Sequence, residues 1–145
     1  MKPVKSIIIL ALLAFFINLP PAISQTLLTP RSNLEMQLSA IEGVTEVFRL
    51  ESTEFGEKFR LRLRQMVNHD DIIYGFFEQQ IFVMHAGYDR PTVLVTEGYG
   101  AGYAARPGYR EELSRLLNAN LIVVEHRYFG ESVPSPRRWE FLDVQ

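Results

Sequence analysis

Cysteine is absent from this chain of 145 residues, so no disulfide can stabilise it and the fold must depend on a packed apolar core. The three histidines are scattered and show no H-x-x-x-H spacing, so the sequence predicts neither a metal site nor a cofactor. No apolar run reaches the roughly 20 residues that a membrane-spanning helix requires. The chain also lacks the excess of basic residues that binding to nucleic acid would favour.

The apolar run that does occur lies at the amino terminus. It spans residues 7–17, follows two lysines and ends at two prolines, which is typical of a secretory signal peptide. The small-x-small sequence of residues 22–24 predicts cleavage between Ser24 and Gln25, and therefore secretion. Removing the two leader lysines from the 15 basic side chains leaves 13 against 17 acidic ones, a net charge of −4.

A short amphipathic helix is predicted over residues 33–42. Ser32 begins a capping-box sequence, and apolar residues follow at Leu34, Leu38 and Ile41. This helix would lie either in a flexible leader or docked on the domain that follows.

Residues 59–64 and 75–84 predict an antiparallel hairpin. The first segment, FRLRLR, alternates strictly between apolar residues and arginines, as a half-buried strand does. Its three arginines are interpreted as a solvated face rather than a binding patch. The second segment has apolar residues on both sides, and the polar residues 68–71 predict the turn between the strands.

Two later segments have the character of central parallel strands. Residues 92–96 and 121–124 are continuous, β-branched apolar runs without alternation. Residues 109–118 between them predict a helix, which completes one right-handed βαβ crossover. Its inner face would carry three leucines, Leu113, Leu116 and Leu117. The predicted fold class is therefore α/β, with an antiparallel hairpin leading into a parallel βαβ unit and an incomplete sheet.

A glycine-rich loop follows the first of these runs, at the edge of a parallel sheet where α/β proteins bind ligands. Glycine lets backbone approach a ligand closely, and N–H groups in such a loop can stabilise a developing oxyanion. The spacing of Gly98, Gly100 and Gly102 does not match a dinucleotide fingerprint, and the Lys-Ser/Thr of a P-loop is missing. A plain tight turn is the alternative interpretation.

The second run ends in a charged and aromatic cluster of four residues, Glu125, His126, Arg127 and Tyr128. We interpret His126 as a structural histidine rather than a catalytic base. Arg127 is expected to form an ion pair with its flanking glutamates. Ser132 is not predicted to be a nucleophile, because Pro134 replaces the last glycine of a G-x-S-x-G elbow.

Two long motifs in combination resemble a known family. Residues 90–100, RPTVLVTEGYG, and residues 118–134, NANLIVVEHRYFGESVP, are similar to the bacterial secreted tripeptidyl-aminopeptidase family of serine peptidases. They also resemble the related prolyl carboxypeptidase and dipeptidyl-peptidase group. Residues 65–69 and 77–80 resemble the amino-terminal hairpin of the family, so the resemblance covers about residues 59–142.

The resemblance implies an α/β-hydrolase fold with a Ser-Asp-His triad that cleaves short peptides from a free N-terminus, often at proline-containing sequences. The chain would then comprise a signal peptide (residues 1–24), a leader with the short helix (25–56) and the N-terminal portion of an α/β-hydrolase domain (57–145). In the family the nucleophile elbow lies downstream of the EHRY strand. The chain is therefore expected to be an N-terminal fragment that contains no triad residue and is inactive alone.

By analogy with α/β-hydrolases, the resemblance assigns Gly98, Tyr99 and Gly100 to the oxyanion loop, with the N–H of Tyr99 or Gly98 as donor. Glu97 is a candidate contact for the α-ammonium group of the substrate, with a structural role as the alternative. The expected partner is a peptide, and neither nucleic acid nor, after signal cleavage, a membrane is expected. Two other functions remain open: a non-catalytic secreted binding protein derived from a hydrolase fold, and an esterase of the same fold.

Overall fold

The computed structural model describes residues 30–142, so the expected signal peptide lies outside the described residues. The regular elements, in chain order, are α1 (Asn33–Ser39), β1 (Val44–Arg49), β2 (Glu57–Met66), β3 (Phe76–His85), β4 (Thr92–Glu97), α2 (Glu112–Leu116) and β5 (Asn120–Glu125). Short 3-10 helices occupy Ile72–Tyr74, Gly102–Ala105 and Trp139–Phe141. Neither α-helix of the described chain is long and apolar enough to cross a membrane.

The five strands form one mixed sheet in the order β1-β2-β3-β5-β4. β2 and β3 pair antiparallel, as the alternating segments predict, and their register brings Phe59 opposite Val83 and Leu61 opposite Ile81. β3 and β5 are also antiparallel, whereas β4 and β5 are parallel and are joined through α2. The expected hairpin and the parallel βαβ unit are therefore confirmed within a mixed α/β sheet.

β4 lies at the edge of this sheet, because β5 inserts between β3 and β4. Both apolar runs were expected to be central strands; among the described strands β5 is central, whereas β4 has a partner strand on one side. Val93 and Val95 pack against the core on one face, and Leu94 on the other face is 61% exposed in the described chain.

Apolar clusters cover both faces of the sheet, since successive side chains in a strand point to opposite faces. One cluster comprises Phe55, Phe82, Met84, Ala101, Ala104, Leu121 and Val123. The other comprises Leu34, Leu38, Phe59 and Leu61, so α1 docks on the sheet. The Oγ of Ser32 accepts the N–H of Glu35 at 3.1 Å, which confirms the predicted cap. The helix ends at Ser39, earlier than predicted, and Ile41 is exposed.

The helix predicted at residues 109–118 spans only five residues, and the face expected to pack on the sheet is exposed to solvent instead. The three leucines predicted to face inward are exposed, Leu116 by 76%. Ser114 is fully buried instead, and its Oγ donates to the carbonyl of Glu111 at 2.8 Å. A small side chain on the inner face leaves the bulky leucines on the outer side.

Residues 44–49 form a strand where the sequence predicted only a leader. β1 pairs with β2 along its length, with a bulge between Val44 and Glu46. The carboxylate of Glu46 lies 3.8 Å from Arg60 and 4.0 Å from Arg62, so two of the three strand arginines contact a neighbouring strand. The arginine face of β2 is therefore covered in part, not simply solvated.

Candidate active site

The loops that follow β4 and β5 lie side by side, because these neighbouring strands are parallel and end in register at Glu97 and Glu125. The N–H of His126 donates to the carbonyl of Glu97 at 2.8 Å and joins the two strand ends. Residues 98–101, here called the glycine loop, and residues 126–132, the EHRY loop, therefore meet at one edge of the sheet.

The carboxylate of Glu125 is buried between these two loops, with the residue only 1% exposed. Its Oε1 accepts the N–H of Ala101 at 2.7 Å. Its Oε2 accepts the N–H of Glu131 at 2.8 Å and the hydroxyl of Ser132 at 2.7 Å. None of the salt bridges among residues 30–142 includes Glu125. The side-chain amide of Gln80 on β3 donates a longer bond to Oε1 at 3.5 Å. Hydrogen-bond donors, mainly from the two loops, rather than a cation therefore compensate the buried charge.

Gly130 is required by the position of this carboxylate. Its φ is +48°, in the left-handed region that favours glycine. A Cβ at Gly130 would overlap Oε1 of Glu125 and lie 2.6 Å from its Cδ. Any larger residue would have to displace the buried carboxylate.

Ser132 is fully buried, and its hydroxyl is engaged on both sides. It donates to Glu125 and accepts the backbone N–H of Gln80 on β3 at 2.9 Å. This position gives the hydroxyl no access to a peptide substrate.

The side chain of Glu97 lies against the amino-terminal end of the glycine loop. Its Oε1 accepts the N–H of Tyr99 and its Oε2 accepts the phenol of Tyr103, both at 2.9 Å. The Tyr99 N–H, followed by the Tyr103 phenol, holds the pKa of Glu97 below its usual range. The predicted oxyanion donor is thus bound to Glu97, whose carboxylate would have to move before the Tyr99 N–H could serve a ligand.

Two aromatic rings border the glycine loop on its open side. The side chain of Tyr99 is 94% exposed, and its ring lies edge-on to that of Phe129 at 6.4 Å. Gly100 has a φ of +137°, which places it in a conformation that L side chains rarely adopt. The loop therefore presents an exposed aromatic surface at the end of β4.

Arg127 does not form the expected ion pair with Glu125 or Glu131. Its guanidinium instead donates to the backbone carbonyls of Met66 and Val67, where β2 ends. Glu131 pairs with Arg62 at 3.4 Å, and Glu125 uses backbone and hydroxyl donors. The expected ion pair does not form because backbone groups satisfy both side chains. Carbonyls accept from Arg127, and N–H groups donate to Glu125.

The other members of the EHRY cluster occupy contrasting environments. His126 is exposed. Tyr128 is buried with a φ of +73°, and its phenol donates to the carbonyl of Arg138 at 2.6 Å while its ring stacks on Trp139 at 5.3 Å. Within residues 30–142, no group of three or more acidic or histidine side chains could hold a metal ion.

The sequence did not predict the hydrogen bonds that Ser132 and Ala101 donate to Glu125. Nor did it predict the hydrogen bond from the Tyr103 phenol to Glu97. One available signal was the position of Glu125, an acidic residue closing a wholly apolar strand and followed five residues later by a glycine. Because buried polar groups are almost always hydrogen-bonded, a carboxylate at the end of such a strand is expected to accept hydrogen bonds from groups inside the fold.

The family model described as PS-10 peptidase S37 matches residues 32–145 of the chain. This chain belongs to the peptidase S37 family. The resemblance drawn from the strand motifs is thereby confirmed. A curated relative, the prolyl tri/tetrapeptidyl aminopeptidase of Streptomyces mobaraensis, is 38% identical over 81 residues, and the alignment covers 56% of this chain. It covers only 16% of the relative, so the chain matches a small part of that protein's length.

Proposed function

We propose that this S37 chain forms the amino-terminal part of a secreted aminopeptidase that releases short, proline-containing peptides from free N-termini. Membership of the family and the 38% identity to a prolyl tri/tetrapeptidyl aminopeptidase support this function. The activity is assigned to a polypeptide of the relative's length, because the aligned segment covers 16% of that relative. Export would follow from the signal peptide predicted at residues 1–24.

We propose an α/β-hydrolase fold for the catalytic domain. The observation that supports it best is the order β2-β3-β5-β4, in which an antiparallel hairpin precedes a parallel pair. With β2 counted as the first strand, the glycine loop connects the third strand to the following helix. In α/β-hydrolases this connection supplies a backbone N–H to the oxyanion hole, whereas the nucleophile follows a later strand. None of residues 30–142 is assigned to the triad in this proposal.

Within this proposal, the glycine loop lies on the oxyanion side of the site and Glu97 recognises the α-ammonium group of the substrate. The proposed donors are the backbone N–H groups of Gly98, Tyr99 and Gly100, which lie beside the exposed Tyr99 ring and its neighbour Phe129. A substrate ammonium at Glu97 would compete with the Tyr99 N–H for the same carboxylate oxygen. An N-acetylated substrate lacks this ammonium group, so the proposal predicts a preference for substrates with an unblocked amine.

The test is an assay of the protein encoded by the complete open reading frame that contains this sequence. Proline-containing tripeptide and tetrapeptide p-nitroanilides with a free N-terminus should be cleaved, and their N-acetylated counterparts should not. The 145-residue chain alone serves as the control and should show no turnover.

Three outcomes would contradict the proposal. Equal cleavage of acetylated and free substrates would argue against recognition of the N-terminus. Cleavage of p-nitrophenyl esters without any cleavage of anilides would favour an esterase. Peptide binding without turnover by the complete, folded protein would favour a binding protein.

A further inference from the structure

We propose that Glu125 is a positioning residue of the peptidase site, whose buried carboxylate holds the glycine loop and the EHRY loop at a fixed separation. The inference rests on the proposed role of the glycine loop in oxyanion binding. It gives Glu125 a function through the two loops rather than through contact with substrate.

The geometry supports this role because each carboxylate oxygen serves a different loop. Oε1 accepts from Ala101 at 2.7 Å in the glycine loop, and Oε2 accepts from Glu131 at 2.8 Å in the EHRY loop. Both are charge-assisted hydrogen bonds to backbone N–H groups, which are stronger than bonds between neutral groups. A shift of one loop against the other would break at least one of them.

The glycine loop is also packed directly on the carboxylate. A Cβ at Gly100 would lie 3.8 Å from both Oε1 of Glu125 and the Cα of Gly130, so two glycine backbones close over the same group. Ala101 is fully buried and follows Gly100, so anchoring its N–H restricts the backbone immediately after Tyr99. The orientation of the proposed oxyanion donors therefore depends on Glu125.

Glu125→Gln tests the role because glutamine keeps the size of the side chain and changes its hydrogen bonding. Both oxygens accept N–H or O–H donors, so an amide NH2 would face a donor in either orientation. Glu42→Gln is the matched control, since Glu42 is exposed and lies between α1 and β1, outside both loops.

In the protein encoded by the complete reading frame, we expect Glu125→Gln to lower kcat by about 10- to 100-fold with KM changed less than about threefold. Glu42→Gln should leave both constants near those of the wild type. A purely structural role would reduce the amount of folded enzyme without this separation of kcat from KM. Equal kcat values for the folded Glu125→Gln and wild-type enzymes would overturn the proposal.

A second measurement does not depend on activity. Amide hydrogen–deuterium exchange of the protein encoded by the complete reading frame, followed by mass spectrometry, should be faster in Glu125→Gln in the peptides that contain Ala101 and Glu131, with the peptide that contains Leu61 unchanged. Unchanged exchange at both loop amides, or uniform acceleration that includes Leu61, would overturn the proposal. This measurement remains decisive if the complete protein proves to have no peptidase activity, which would refute the proposed function alone.

Ser132→Ala keeps the test decisive if Glu125→Gln does not fold. It removes one donor to Oε2 and leaves both backbone bonds available. Unchanged exchange at Ala101 and Glu131 is the expected result, because the carboxylate still accepts both backbone N–H groups. Faster exchange at both amides would overturn the proposal, because the hydroxyl rather than the two backbone bonds would then fix the loops.

Discussion

Replacing Gly130 by alanine should destabilise the fold through Glu125. The φ of +48° is unfavourable for alanine by about 1–2 kcal/mol. The added Cβ would also overlap Oε1 of Glu125 and force the buried carboxylate away from its donors. Hydrogen bonds to charged groups contribute about 1.5–3 kcal/mol each, so losing one or two of them brings the total to about 2.5–8 kcal/mol. This is a large part of the roughly 5–15 kcal/mol by which a domain is stable.

Alanine substitutions at two other glycines distinguish the cost of a positive φ from the cost of displacing the Glu125 carboxylate. Gly43 also has a positive φ, +84°, but a Cβ there meets the flexible Leu63 side chain at 3.3 Å, so Gly43→Ala should cost about 1–2 kcal/mol. Gly102→Ala has open space and no positive φ, and should change stability by less than about 0.5 kcal/mol. Urea unfolding followed by far-UV circular dichroism gives the three free energies. A Gly130→Ala value within about 1 kcal/mol of that for Gly43→Ala would refute the reasoning.

Three further predictions concern the core and two titratable groups. Phe82 is 1% exposed, so Phe82→Ala should lower the free energy of unfolding by about 3–5 kcal/mol, whereas the exposed Ile73→Ala should change it by less than about 0.5 kcal/mol in the same urea assay. Burial lowers the pKa of Lys58 from 10.5, so the unfolded state binds more protons just below that pH. Wild-type stability, measured by urea unfolding, should therefore rise relative to Lys58→Met as the pH approaches 10.5, and parallel profiles would contradict this. The lowered pKa of Glu97 gives stability that is present above its ordinary value of 4.5 and lost as pH falls through the folded value. The NMR shift of the Tyr99 amide should accordingly titrate below pH 4.5 and stop doing so in Glu97→Gln.

Features encoded in local patterns could be predicted from the sequence. The cap at Ser32 follows from a side chain that satisfies a free N–H three residues away, which depends only on nearby residues. The β2–β3 hairpin follows from strict alternation at residues 59–64. The glycine-rich turn after β4 was predicted for the same reason, because apolar runs and glycines are visible without knowledge of tertiary contacts.

Features set by tertiary contacts could not be predicted. Leu113 and its neighbours have helical spacing, but packing turned the small Ser114 inward instead. β1 has only Val44 and Val47 half-buried, so its sequence carries little periodic signal. The donors to Glu125 lie 6, 7 and 24 residues away along the chain, so no short sequence pattern could predict these hydrogen bonds.

Peptide substrates are proposed to bind where the glycine loop and the EHRY loop meet. Hydrogen–deuterium exchange of the protein encoded by the complete reading frame, with and without a saturating proline-containing tripeptide, tests this proposal most directly. Slower exchange concentrated in residues 97–101 and 125–132 is the predicted result. Protection confined to the cleft lined by residues 49–58 and Pro107, at the other end of the sheet, would contradict the account.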